Sequence, residues 1–188
     1  MKRCPWSGDD PRMMTYHDEE WGLPNREDKH HFEFLILEAA QAGLSWRTVL
    51  HKREGYRKAF HDFDPKAVAK MGERDVARLM QDASIIRNRL KITAAIANAK
   101  PFIAVQKEFG SFDNYLWSFV KGKQVRNNIR TSKDLPAKTA LSDEVSKDLK
   151  KRGFRFVGST VIYSHLQAVG VVNDHERSCF RWKACCKR

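Results

Sequence analysis

The chain has 188 residues, 41% of them hydrophobic, and carries 35 Lys and Arg against 23 Asp and Glu, a formal net charge of +12. That is enough apolar material to close a core, and one domain over 1–188 is expected. With 11 Phe, 5 Trp and 4 Tyr the chain is no disordered polycation, and with 10 Gly and 6 Pro it is neither collagen-like nor low-complexity.

Helix signals dominate in chain order. Asp28 is placed to cap a helix over 29–42, where Phe32, Leu35, Ile36, Ala39 and Ala40 recur at helical spacing and Gly43 is the stop. Ser45 is placed to cap a helix from 46 to about 60. Asp64-Pro65 reads as a cap followed by Pro at the first helical position, opening 66–71. Helices over 74–81 and, after a short turn, 88–107 follow, then one over 112–120 behind Ser111. Ser142 reads as the cap of 143–152, which Gly153 ends, and a last apolar helix covers about 160–169 before Gly170. β-Branched alternation is scarce: only 157–162 argues for a strand, and Gly158 and Ser159 break it. The expected class is all-α. Residues 121–140 form the longest irregular stretch, with Lys121, Lys123, Arg126, Arg130, Lys133 and Lys138 against Asp134.

The longest apolar stretch, 34–40, is interrupted by Glu38 and is far short of the ~20 residues of a membrane span. Met1-Lys2-Arg3-Cys4-Pro5-Trp6 has charge but no apolar region behind it, so it does not read as a secretory signal. The expectation is a cytoplasmic protein without a membrane partner. There Cys4, Cys179, Cys185 and Cys186 are expected as thiols or metal ligands rather than disulfides.

The charge is uneven. Residues 1–40 hold 5 basic and 9 acidic side chains, whereas 121–188 hold 16 basic and 6 acidic. A one-sign excess on an ordered domain points to a polyanion such as nucleic acid; a merely solvated surface is the alternative. The turn over 82–87 joins two helices, and Arg87, Arg89 and Lys91 open the second. Free amides and a positive dipole end at such a helix start suit a phosphate. The motif reads as a helix-hairpin-helix spanning about 74–100 or as an ordinary αα turn.

His175 and Cys179 stand four apart, on one face of a helical turn, and Cys4 and His17 lie near the other end of the chain. Two thiolates and two imidazoles would make a closed structural zinc site, with no position left for a reactive water, that ties the two ends together. Cys185 and Cys186 are alternative ligands. Glu38 sits in an apolar helix, and Trp6, Tyr16, Trp21 and Trp46 fall in the same acidic quarter. Aromatic walls with an acid at the base suit a planar cation, of which a flipped-out alkylated purine is an example.

Longer motifs sharpen this. Asp10-Pro11, Tyr16-His17-Asp18, Glu20-Trp21-Gly22, Leu37-Glu38 and Gln41-Ala42-Gly43-Leu44-Ser45-Trp46 come first. Ile85-Ile86-Arg87, Leu149-Lys150-Lys151-Arg152-Gly153-Phe154, Phe156-Val157-Gly158, Gln167-Ala168 and Asn173-Asp174-His175 follow in order. Over nearly its whole length the sequence resembles the type I 3-methyladenine DNA glycosylase family. The resemblance implies a helix-hairpin-helix DNA glycosylase fold and hydrolysis of the N-glycosidic bond of 3-methyladenine in double-stranded DNA. An abasic site is left and the strand is not cut. It also implies one structural zinc per chain on Cys4, His17, His175 and Cys179, joining segments 1–20 and 173–180. It places base recognition on Glu38 and Tyr16, stacking on Trp46, Trp6 and Trp21 at the pocket wall, and DNA contact at Gly43, Leu44, Ser84 and Arg87. Leu44 is expected to fill the gap left by the flipped base. A monomer associated with the nucleoid is implied.

Three positions depart from the family pattern. Ser84 replaces a hairpin Gly and is expected to strain a positive φ. Met13 replaces a frequent Tyr of the pocket wall, and His165 replaces a Phe in the packing. The segment after Cys179 carries no assigned role. A non-catalytic zinc-containing binder of damaged DNA is the competing reading; a pure binder has no need of Glu38 in an aromatic pocket.

Overall fold

In the computed structural model, which describes residues 1–184, Asp10 opens α1 (Pro11–Glu19) by accepting from the amides of Arg12 and Met13. α2 (Asp28–Gln41) follows and is buried on every side from His31 to Ala40. The predicted run from Ser45 is two helices, α3 (Trp46–His51) and α4 (Arg53–Ala59), broken at Lys52. Ser45 accepts from the Thr48 amide as expected. α5 (Pro65–Val68) starts behind Asp64, whose carboxylate takes the Lys66 amide. α6 (Glu73–Leu79) and α7 (Arg89–Phe109) flank the hairpin turn, with Asn88 capping the latter through the Lys91 amide. α8 (Phe112–Ser118) is capped by Ser111. After the long basic loop come α9 (Ala140–Lys151), α10 (Ser159–Ala168) and the short α11 (Phe180–Ala184).

A helix that is apolar all round belongs in the middle of a fold. α2 packs against α3, α4, α7, α8 and α10. Phe32, Phe34 and Leu37 are wholly inaccessible; truncating either Phe to Ala would cost about 3–5 kcal/mol. Everything that α2 carries on its last turns is therefore held on a rigid axis. The class is all-α, as expected, and no described helix is long and apolar enough to cross a membrane.

Three expectations are corrected. Asp28 does not cap its own helix, because its carboxylate accepts from the amides of Phe112 and Asp113 and from Gln106 Nε2, capping α8 instead. α9 starts three residues earlier than expected. Thr139 takes the Ser142 amide while the Ser142 hydroxyl takes the Thr139 amide, so Ser142 is the inner half of a reciprocal cap. Residues 157–162 are not a strand, since α10 begins at Ser159.

The strand pairing lies elsewhere. β1 (Val125–Arg126) runs parallel to β2 (Val172–Asn173), with Val125 opposite Val172 and Arg126 opposite Asn173. Two residues per strand are too few to show a period in the sequence. Gln124 Nε2 donates to the carbonyls of Gly22 (2.8 Å) and Gly170 (2.7 Å), so the basic loop is pinned to both ends of the chain at its start. Gly170, at φ +74°, permits that closure: a Cβ there would lie 2.2 Å from the Leu23 carbonyl carbon.

Candidate functional site

α1 brings His17, and the segment after β2 brings His175 and Cys179, to the N-terminal Cys4. The four ligand atoms lie within 4.8 Å of one another, and all four residues are buried. Cys4 Sγ is 3.6 Å from His175 Nδ1, while Cys179 Sγ is 3.4 Å from His17 Nε2 and 3.6 Å from His175 Nδ1. Thiolate and imidazole bonds of ~2.3 and ~2.1 Å at tetrahedral angles to one small divalent ion put S and N about 3.6 Å apart. The surroundings match that use. His17 Nδ1 meets Asp18 Oδ1 at 2.7 Å, and Arg3 clasps the same carboxylate, which leaves Nε2 to face the cluster. His175 Nε2 donates to the Trp21 carbonyl at 2.8 Å, which frees Nδ1. The amides of Glu176 and Arg181 donate to the two sulfurs. The expected quartet is thus brought together with its outer partners and fits a metal ion. Cys185 and Cys186, the alternative ligands, lie outside the described residues.

The cluster buttresses a pocket. The Trp21 ring stands edge-on to His175 at 4.7 Å, and the Trp6 ring lies 5.3 Å from His17. Trp6 and Trp21 in turn meet at 4.8 Å and form one wall of a cleft of about 230 Å³. Tyr16 and Trp46, 5.2 Å apart and both backed by Phe34, line it further. Glu38, 3% exposed, lines the same cleft from the last turns of α2. Its carboxyl has no hydrogen-bond or ion-pair partner among the described residues, and burial pushes its pKa up to about 8. Burial therefore favours the neutral acid of Glu38 at pH 7. Burial, then the nearby Glu38 charge, lifts the Tyr16 phenol well above its ordinary value. Aromatic faces around one acid that ionises when an opposite charge arrives form a receptor for a flat cation.

A family model described as methyladenine glycosylase matches residues 6–182. The DNA-3-methyladenine glycosylase 1 of Escherichia coli (strain K12) is 50% identical over 186 residues, covering 99% of this chain and 97% of that protein. The chain belongs to the methyladenine glycosylase family. One crystal structure of a 3-methyladenine DNA glycosylase I aligns with a TM-score of 0.92 at 49% identity, over 95% of this chain and 98% of that one. A structure addressing 3-methyladenine recognition by the Staphylococcus aureus enzyme aligns with a TM-score of 0.92 at 37% identity, over 96% of each chain.

Around the pocket, the turn between α2 and α3 places Gly43 at φ +78° and leaves Leu44 39% exposed. Gln41 and Trp46, on either side of that turn, line the pocket. The hairpin is sharper than the sequence suggested. Of its three basic residues, Arg89 is paired with Glu73, and Lys91 donates to main-chain carbonyls of α2. Arg87 is exposed and has no partner among the described residues. Ser84 does not adopt a positive φ, against expectation. Asp82 Oδ1 takes the Ser84 amide at 2.8 Å and sets the turn without a left-handed residue. The close approach falls on Gly55, where a Cβ would lie 2.3 Å from the Ser84 carbonyl oxygen.

Met13 is buried and lines a neighbouring cleft on the far side of Trp6 and Trp46, not the pocket. His165 is fully buried, with neither ring nitrogen hydrogen-bonded, and burial holds it neutral, so it acts as packing. Residues missed from the sequence are Gln41, Ser132, Leu135, Ser164 and Gln167, which also line the pocket. Gln41 is three residues after Glu38, and Gln167 three after Ser164, a same-face spacing that could have found them. Ser132 and Leu135 come from the basic loop and carry no such signal.

Proposed function

We propose that this chain removes 3-methyladenine from alkylated double-stranded DNA. It hydrolyses the N-glycosidic bond, releases the free base and leaves an abasic site without cutting the strand. The observation that carries the reading is Glu38, an unpartnered buried carboxyl among aromatic rings. A protein that only bound DNA would gain nothing from burying it.

3-Methyladenine in DNA is cationic, so its bond to the sugar is weak and it departs as a neutral base. The pocket has to attract the cation once it is flipped out. Tyr16 and Trp46 hold the ring, Trp6 and Trp21 close the wall, and Glu38 accepts hydrogen bonds from the base edge as its carboxylate. Burial makes each of these contacts stronger than it would be in water. As the bond breaks, positive charge passes from base to sugar, water attacks the anomeric carbon and loses a proton to solvent, and the neutral base is left in the pocket. No lysine is among the residues lining the pocket, so no amine stands ready to form a Schiff base, in keeping with base removal alone.

Outside the pocket, Leu44 at the Gly43 turn fills the space vacated by the flipped nucleotide. The hairpin around Ser84 and Arg87 takes backbone phosphate. Lys121, Lys123, Arg126, Arg130 and Lys133 are exposed, and their charged side chains have no ion-pair partner among the described residues. Their loop reaches the pocket through Ser132 and Leu135, so it meets the strand that carries the lesion. The chain works as one domain over 1–188, a monomer, inside the cell with the nucleoid. The metal is zinc, one ion per chain, held by Cys4, His17, His175 and Cys179. It supplies no chemistry to the reaction but fixes the chain ends behind the Trp6–Trp21 wall.

The test incubates the protein with methylated duplex DNA and measures free bases and strand breaks. Release of 3-methyladenine over many turnovers with intact strands is expected. No release at any protein concentration would overturn the reading.

A further inference from the structure

Asp174 lies immediately before the metal-group residue His175 and is 1% exposed. Its Oδ1 accepts from Asn127 Nδ2 at 2.6 Å, and its Oδ2 accepts from Gln167 Nε2 at 2.6 Å and from the Tyr163 hydroxyl. With the Asn127 amide and the Tyr163 hydroxyl on the same two oxygens, the amide nitrogen of Gln167 is the end that faces Asp174. That fixes the flip of the Gln167 amide. Its Oε1 then has no hydrogen-bond partner among the described residues, while the side chain lines the same cleft as Glu38.

We propose that Gln167, locked by Asp174, is the specificity residue that makes this pocket select 3-methyladenine over 3-methylguanine. Its carbonyl oxygen accepts a hydrogen bond from the amino group at C6 of the flipped base. A purine with oxygen at C6 sets one acceptor against another. Gln167 cannot turn to donate instead without breaking its bond to Asp174. The amino group carries two hydrogens, so the Glu38 carboxylate accepts one while Gln167 accepts the other. A pinned acceptor discriminates where an adaptable one does not, because the wrong base leaves a buried polar group unpaired.

The assignment rests on the 3-methyladenine reading of the same pocket. The experiment scores both bases in one reaction. Duplex DNA carrying both lesions is treated with wild-type protein, Gln167→Ala and Gln167→Met, and the initial rates of 3-methyladenine and 3-methylguanine release are compared. Because the two bases report on the same protein molecules, any loss of folded material cancels in their ratio. The wild-type ratio is expected to favour adenine, and both variants are expected to lower it by about 10- to 100-fold, the worth of one unmade buried hydrogen bond. Asp174→Asn, which lets the amide turn over, should lower it in the same direction. A ratio unchanged in both Gln167 variants, with the two rates constant or falling together, overturns the assignment while leaving the glycosylase reading intact. Wild-type protein that releases neither base overturns both.

Discussion

The ammonium of Lys91 donates to the carbonyl oxygen of Ala42 at 2.6 Å and to that of Ala40 at 2.7 Å. The last carbonyls of α2 have no partner within the helix, and Lys91 supplies one from the start of α7. The hairpin is thereby joined to the helix that carries Glu38 and to the turn that carries Leu44. Burial lowers the pKa of Lys91, but the two carbonyls hold its charged form in place. Lys91→Met should cost about 1–3 kcal/mol of stability. It should reduce 3-methyladenine release from DNA several-fold while leaving binding of the free base within about twofold. Melting curves, release kinetics and calorimetry with the free base check it. Equal losses in release and in free-base binding would contradict the coupling.

Glu38 makes activity depend on pH. Its carboxyl, at about 8 in the empty pocket, must lose its proton before a carboxylate can face the cationic base. Wild-type kcat/KM on methylated DNA should therefore rise up to about tenfold per pH unit from about pH 6 and level off near pH 8. Glu38→Gln should release base at least about 100-fold more slowly, show no such rise, and still bind abasic DNA. A flat wild-type profile would remove the proton from the mechanism.

The same group sets a sign for stability. The folded value of about 8 lies above the ordinary 4.5, so the folded state binds the extra proton between the two. The contribution is complete below 4.5 and is lost as pH rises through 8. Glu38→Gln should accordingly match wild type in acid and exceed it by about 4–5 kcal/mol at pH 8 or above, since a tenfold change in proton affinity is worth about 1.4 kcal/mol. Denaturant titrations of both proteins across that range give the difference directly.

Metal analysis should find about one zinc per chain, and a strong chelator should lower the melting temperature. Cys4→Ser and Cys179→Ser together should abolish zinc binding. Chelation should also change Trp fluorescence, because Trp21 stands 4.7 Å from His175. Full zinc retained by the double variant would move the site to other ligands.

Arg87 and Arg89 are neighbours on the hairpin with different neighbourhoods. Arg87→Ala should weaken binding to abasic DNA and reduce the dependence of log K on log salt by about one. Arg89→Ala should change that slope much less, because Glu73 already occupies its guanidinium. Titrations at several salt concentrations separate them; equal slopes for both variants would contradict the assignment.

What was legible in the sequence was local. Ser45, Asp64 and Ser111 cap where expected because a cap needs only its own chain within three residues. Asp28 looked the same but caps α8, more than eighty residues away, and no local pattern distinguishes the two uses. Spacing offered the metal quartet, clustering offered the aromatic pocket around Glu38, and motif resemblance strengthened both. Spacing alone left Cys185 and Cys186 open as ligands. Ser132 and Leu135 were invisible because a two-residue ladder and one glutamine pin their loop, and neither leaves a periodic trace. The Gln167–Asp174 bond spans seven residues across a helix end and a strand, which propensity cannot see.

The burial of the two thiols has a consequence for survival. An agent that methylates adenine in DNA also methylates sulfur, and an exposed thiolate is among the first nucleophiles it meets. Cys4 is 1% exposed and Cys179 4%, each sulfur taking an amide hydrogen bond inside the cluster. These two sulfurs of the cluster are thus kept out of reach of the chemistry whose damage the enzyme repairs.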